Sequence, residues 1–154
     1  MPSLKNDRAI VAERVFKAPR ELVFKVWTDP QHISKWWGPN GFTTTSQIMD
    51  VRPGGVWIFT MHGPDGVDYP NRIVYSEIVP PEKIVYTHDS GVDDAPGQFQ
   101  VTLLFTDEGK NKTKLSIEML FRSAAERDEV VEKYGAIEGL NQTLSRFEEL
   151  LSTM

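Results

Sequence analysis

The chain has 154 residues, 40% of them apolar, and a net charge of −5, which fits one globular domain with a real core, predicted over residues 1–154. The acidic balance and interspersed Lys and Arg argue against a nucleic-acid partner, and the lack of cysteine excludes disulfides, thiolate metal sites and cysteine nucleophiles. No apolar run approaches the roughly 20 residues that span a bilayer and no secretory signal pattern is present, so we expect a cytoplasmic protein without a membrane partner.

The first part of the chain predicts one strand followed by two short helices. Ala9–Lys17 alternates with a period near two, which indicates the first strand. Pro19 suits the first position of a helix, where its missing N–H is not needed. Thr28-Asp29-Pro30 repeats the start signal for a second helix, and the glycines and proline of Gly38–Gly41 must end it.

The middle of the chain predicts six further strands. Turn signals such as Gly63-Pro64-Asp65-Gly66 separate most of them, and a polar loop, Asp89–Gly97, separates the fourth from the fifth. Short connections between consecutive strands are typical of an antiparallel meander. The predicted strands are Phe42–Val51, Val56–His62, Tyr69–Val79, Lys83–His88, Phe99–Phe105 and Lys114–Phe121.

The C-terminal part predicts an amphipathic helix that covers the apolar face of this sheet. Ser123–Glu126 has the spacing of a capping box at a helix start. Gly135 and Gly139 indicate either a kink or a close approach to another element. Apolar residues then recur at three- and four-residue steps: Ile137, Leu140, Leu144, Phe147 and Leu151. The element order predicts a two-layer α+β domain.

Several segments, in this order and through most of the chain, carry a family resemblance: Phe16-Lys17-Ala18-Pro19, Val26-Trp27-Thr28-Asp29-Pro30, Trp36-Trp37-Gly38-Pro39, Asp50-Val51-Arg52-Pro53-Gly54-Gly55-Val56-Trp57, Gly63-Pro64-Asp65-Gly66 and Glu77-Ile78-Val79-Pro80-Pro81-Glu82. With them the chain resembles the family of homologues of the activator of heat-shock protein 90 ATPase. That family is a branch of the START-like superfamily, which also contains the birch-pollen allergens and the polyketide cyclases. The resemblance implies a helix-grip fold, in which a curved antiparallel seven-stranded sheet surrounds the last helix over a cavity, in a monomer or a homodimer.

Strand parity and this fold together predict which side chains face the interior. Adjacent helical residues point about 100° apart, so at most one of Trp36 and Trp37 is expected to touch a ligand. Ordinary core packing remains the alternative for the aromatic residues, a solvent-exposed strand end for His88, and a turn role for Asn71. The predicted ligand contacts are Trp37, Trp57, Phe59, Met61, Tyr69, Asn71, Tyr75, Tyr86, His88, Phe99, Met119, Leu140 and Leu144.

Three functions fit the sequence, and a binding module for an apolar or aromatic small molecule fits best. The second is a cyclase or hydrolase that uses His88 and a tyrosine as acid–base groups. The third is a chaperone ATPase co-factor, although such activators carry an additional N-terminal domain and only eight residues precede Ala9 here. Phosphate-loop, dinucleotide and metal-ligand spacings are missing from the sequence, so no cofactor or metal is expected.

Overall fold

The computed structural model describes residues 3–4, 8–89 and 98–154. The predicted polar loop lies outside these residues apart from Asp89. The described chain forms one antiparallel sheet whose spatial order is β1-β2-β8-β7-β6-β5-β4-β3. Its strands are β1 (Ser3–Leu4), β2 (Ala9–Phe16), β3 (Thr43–Met49), β4 (Val56–His62), β5 (Asp68–Val79), β6 (Lys83–Asp89), β7 (Phe99–Asp107) and β8 (Thr113–Phe121).

The seven predicted strands are therefore confirmed, and the two-residue β1 is added beside β2 at the edge of the sheet. Irregular pairing at Ser46/Ile48 and at Tyr75/Glu77 marks two β-bulges, which increase local twist and help the sheet to curve. The turn before β4 brings Gly55 so close to the Asp50 carbonyl oxygen that an added Cβ would clash with it.

The helices are α1 (Arg20–Thr28), α2 (Pro30–Ile33), α3 (Ala124–Tyr134) and α4 (Ala136–Ser152). The two short helices after the first predicted strand are confirmed. Pro30 occupies the first position of α2, but Pro19 lies at the N-cap of α1, one residue before the helical position predicted for it. None of the described helices is both long and apolar enough to cross a membrane.

The C-terminal region contains two helices, and each of the two glycines has its own role there. Ser123 caps α3 by accepting a hydrogen bond from the Glu126 amide at 3.2 Å, as the capping box predicts. Gly135 has a φ of +60° and separates α3 from α4. Gly139 lies within α4, and a Cβ added there would be 3.6 Å from Pro39 Cγ. The first glycine thus makes the break, whereas the distance at the second is an ordinary van der Waals contact that does not require a glycine.

The core lies between the concave face of the sheet and the helices α1, α2 and α4. Leu144, Phe147 and Leu151 of α4 are buried, which confirms the predicted apolar stripe. The Phe147 ring contacts Phe16 of β2 at 5.1 Å and Trp36 at 4.7 Å between ring centroids. Helix α4 is therefore held at one end by a closely packed aromatic cluster, and the cavity described below lies nearer its N-terminal end.

Candidate functional site

A cavity of about 360 Å³ lies between the sheet and α4. This volume is within the range of small-molecule sites. Strands β4 and β6–β8, helices α1 and α4, and the segment after α2 all contribute to its wall. Its described lining residues are Trp27, Trp37, Gly38, Pro39, Met61, Tyr86, His88, Phe99, Val101, Leu103, Ile117, Met119, Gly135, Ala136, Gly139, Leu140, Thr143 and Leu144.

Cross-strand pairing builds the sheet side of the cavity. Tyr86, Val101 and Met119 are directly opposite one another on β6, β7 and β8 and form one row of the wall. His88 and Phe99 begin the neighbouring row. Because side chains two residues apart on a strand share a face, these rows point together toward α4.

Small residues just before α4 and in its first turn leave room for the cavity. Gly135, Ala136 and Gly139 line it where a larger stripe residue would fill the space. Leu140 and Leu144 supply apolar surface deeper in the site. Gly135 is also exposed to solvent, so the cavity reaches the molecular surface beside it.

The two adjacent tryptophans after α2 have different roles. Trp36 is fully buried, and its Nε1 donates a hydrogen bond to the Val26 carbonyl at 3.2 Å. Trp37 lines the cavity and packs against Trp57 at 4.9 Å between ring centroids. One indole therefore anchors the helix to the core while the other contributes to the cavity wall.

Helix α4 holds the wall segment after α2 in place through its side chains. Arg146 Nη1 donates to the carbonyl oxygens of Gly38 at 2.9 Å and Pro39 at 3.1 Å. The Gln142 Oε1 accepts from the Asn40 amide at 3.0 Å. These contacts fix the Gly38–Pro39 edge of the cavity against the helix.

His88 is the most polar side chain in the wall. Its Nε2 makes a 2.9 Å hydrogen bond to Asn71 Oδ1, and Asn71 Nδ2 donates to the Tyr69 carbonyl at 2.9 Å. Burial lowers the pKa of His88 to about 4, and the neighbouring Asp89 opposes this only in part. The imidazole is consequently neutral near pH 7.

Tyr86 places a hydroxyl in the same wall. Burial raises its pKa well above the ordinary value, and Tyr75, whose ring centroid is 6.1 Å away, raises it further. The hydroxyl therefore stays protonated at neutral pH and can donate or accept a hydrogen bond.

The described lining carries no Asp, Glu, Lys or Arg side chain. Within residues 8–89 and 98–154, no group of three or more His, Asp or Glu is arranged to hold a metal ion. The cavity thus offers a mostly apolar wall with a few neutral polar groups, which is typical of a binding site for a small organic molecule.

The fold agrees with the comparison to known proteins. The family model described as "Activator of Hsp90 ATPase homolog 1-like protein" matches residues 17–152. The chain belongs to this family. Its fold commonly binds ligands. No curated protein matches the chain.

Solved structures share the fold of this family member. A protein from Chromobacterium violaceum is 26% identical, covers 94% of this chain and 97% of its own, and has a TM-score of 0.81. A protein from Arthrobacter aurescens is 22% identical with a TM-score of 0.91, over 100% of this chain and 92% of its own. One from Nitrosomonas europaea is 21% identical with a TM-score of 0.85, over 97% of each chain.

In this family member, eight of the thirteen predicted ligand contacts lie in the cavity wall. They are Trp37, Met61, Tyr86, His88, Phe99, Met119, Leu140 and Leu144. His88 is therefore part of an interior wall and not a solvent-exposed strand end.

The other five predicted contacts lie outside the described lining. Trp57 and Phe59 are fully buried and pack against the Trp37 ring of the cavity wall. Tyr75 is buried in the core, and Asn71 lies behind His88. Tyr69 is 42% exposed and lies near the hairpin end of β5.

Several lining residues were not predicted from the sequence. Trp27 belongs to α1, and its helical spacing identified it only as apolar. Ala136 and Thr143 fall beside the apolar stripe of α4 and carry no signal of their own. Gly139 was the available signal, since a glycine within a helix beside its apolar stripe indicates missing side-chain volume on that face.

Proposed function

We propose that this protein is a binding module that reversibly holds an apolar or aromatic small molecule, lipid-like or polyketide-like, between the sheet and α4. The observation that carries this proposal is the cavity of about 360 Å³ with its almost wholly apolar wall. Moving apolar ligand surface from water into such a wall is favourable by roughly 25 cal/mol per Å² before the losses of association.

The polar groups in the wall favour binding over acid–base catalysis. The pKa of His88 is lowered to about 4 and that of Tyr86 is raised, so neither group readily exchanges a proton near pH 7. General acid–base catalysis works best when the pKa lies near the operating pH. These pKa shifts weigh against the alternative of a cyclase or hydrolase that uses His88 and a tyrosine as its acid–base groups.

Membership of the family supports a second candidate, an interaction with the chaperone named in the family description. Adding the purified protein to the chaperone's ATPase assay tests this candidate. Stimulated turnover supports it, whereas unchanged turnover over a range of protein concentrations contradicts it.

A thermal-shift screen of lipids and aromatic compounds tests the binding proposal, with two variants of one strand as a matched pair. Val101→Phe places a phenyl ring in the cavity, and Leu104→Phe places the same ring on the outer face of β7, where Leu104 is 44% exposed. We expect ligands that stabilise the wild type to stabilise Leu104→Phe equally and Val101→Phe much less. The proposal fails if no compound stabilises the wild type, or if both variants respond alike.

A further inference from the structure

The hydrogen bonds behind the cavity determine which nitrogen of His88 carries its proton. A backbone carbonyl can only accept, so the Asn71 atom 2.9 Å from the Tyr69 carbonyl must be the amide nitrogen. The amide oxygen therefore faces His88, at 2.9 Å from Nε2. Because that oxygen can only accept, Nε2 must donate the proton of this hydrogen bond.

The neutral ring then has an acceptor lone pair at Nδ1. No hydrogen-bond partner of His88 Nδ1 is found in the described part of the chain, whereas Nε2 is engaged by Asn71. Because His88 lines the cavity, Nδ1 is the ring atom left to accept a hydrogen bond from a guest.

The described wall disfavours a charged ligand. It contains no cationic or anionic side chain, and burial keeps His88 neutral by lowering its pKa to about 4. A carboxylate or ammonium entering this site would lose hydration without gaining a counter-charge, which is a large penalty.

Aromatic rings surround the acceptor. The His88 ring lies 5.0 Å from Phe99, 5.8 Å from Phe59 and 6.4 Å from Trp37, between ring centroids. Phe99 and Trp37 also face the cavity. A planar aromatic ligand beside Nδ1 would pack edge-to-face or offset against these rings, which adds to its affinity.

We propose that the cavity selects an uncharged aromatic molecule that carries a hydroxyl group, of the phenol or naphthol class, and that this hydroxyl donates a hydrogen bond to His88 Nδ1. This inference rests on the proposed binding function and names the ligand class for the same cavity. Tyr86 supplies a competing hydroxyl partner in the same wall, so the experiment must separate the two.

Three probes of one shape test the inference by titration calorimetry at neutral pH. 2-Naphthol has the donor, 2-methoxynaphthalene has the same ring system without it, and 2-naphthoate carries a charge. We expect 2-naphthol to bind about fivefold to tenfold more tightly than the methoxy compound, as one net hydrogen bond allows, and 2-naphthoate to bind most weakly.

Two variants locate the hydrogen bond. In His88→Leu the preference for 2-naphthol over 2-methoxynaphthalene should vanish, whereas in Tyr86→Phe it should persist. If the preference persists in His88→Leu and vanishes in Tyr86→Phe, the naphthol hydroxyl binds Tyr86 and the inference is overturned.

Nitrogen-15 NMR of the wild type provides a readout that does not depend on the folding of either variant. His88 should show the tautomer protonated at Nε2, and 2-naphthol should move the Nδ1 resonance toward a hydrogen-bonded position. A proton on Nδ1 in the free protein would overturn the inference.

The probes also separate failure of this inference from failure of the proposed function. Equal binding of 2-naphthol and 2-methoxynaphthalene overturns the hydroxyl selection but leaves cavity binding intact. Failure of all three probes to bind, together with failure of the lipid and aromatic screen, overturns both.

Discussion

Acidification should destabilise the protein through His88, and the size of the effect follows from its burial. Burial lowers the folded-state pKa to about 4 from an ordinary value of 6.5. Between these values the unfolded chain binds more protons than the folded one, so the stabilising contribution is present above pH 6.5 and is lost as the pH falls toward 4. Linkage gives a loss of about 2 kcal/mol in the free energy of unfolding between pH 7 and pH 5.

Urea unfolding of the wild type and of His88→Phe at both pH values measures this contribution. The variant keeps an aromatic ring at position 88 but does not titrate there, so pH-dependent changes that are common to both proteins cancel in the comparison. The wild type should lose about 2 kcal/mol more than the variant over this range. Equal losses in the two proteins would refute the assignment of His88 as a buried neutral residue.

Substitutions at three further positions test the supports of the cavity by urea unfolding. Trp36→Phe removes the hydrogen bond to the Val26 carbonyl and leaves a void in a fully buried site. We therefore expect the free energy of unfolding to fall by about 2 kcal/mol, and a fall below about 0.5 kcal/mol would contradict the anchoring role of Trp36. Arg146→Met removes the hydrogen bond to the Gly38 carbonyl and should lower the free energy of unfolding by about 1–2 kcal/mol. Proteolysis of the segment around Gly38 should also become faster. An unchanged rate of proteolysis would contradict the attachment of this segment to α4. Gly135→Ala should lower the free energy of unfolding by about 1 kcal/mol, because φ at this position is +60° and no atom lies near an added Cβ. Gly135→Asn should lower it less, since asparagine tolerates a positive φ better than alanine does. Equal losses in the two variants would contradict this conformational explanation.

The sequence was sufficient to predict the layers and the interior face of the sheet. Period-two alternation placed Tyr86 and His88 on the same face, and helical spacing placed Leu140 and Leu144 opposite them. These predictions succeed because periodicity determines which side chains share a face once a strand or helix forms.

The sequence could not predict which part of that interior face borders empty space. Phe59 and Met61 share a face of β4, yet Phe59 packs against Trp37 in the core while Met61 lines the cavity. This difference depends on where the Trp37 ring lies, and that ring packs against Trp27 and Trp57, which are distant from each other in the chain. The break at Gly135 was similarly undecided, because a glycine near a helix start permits a positive φ without requiring it.

Methionine methyl NMR tests most directly whether the cavity accepts a guest. Met61 and Met119 line the cavity, while Met49 is outside its described lining and Met154 is 51% exposed at the C-terminus. Titration with 2-naphthol should shift the Met61 and Met119 methyl resonances in a saturable manner and leave those of Met49 and Met154 in place. Unmoved Met61 and Met119 resonances at saturating probe, or shifts confined to Met49 and Met154, would contradict binding between the sheet and α4.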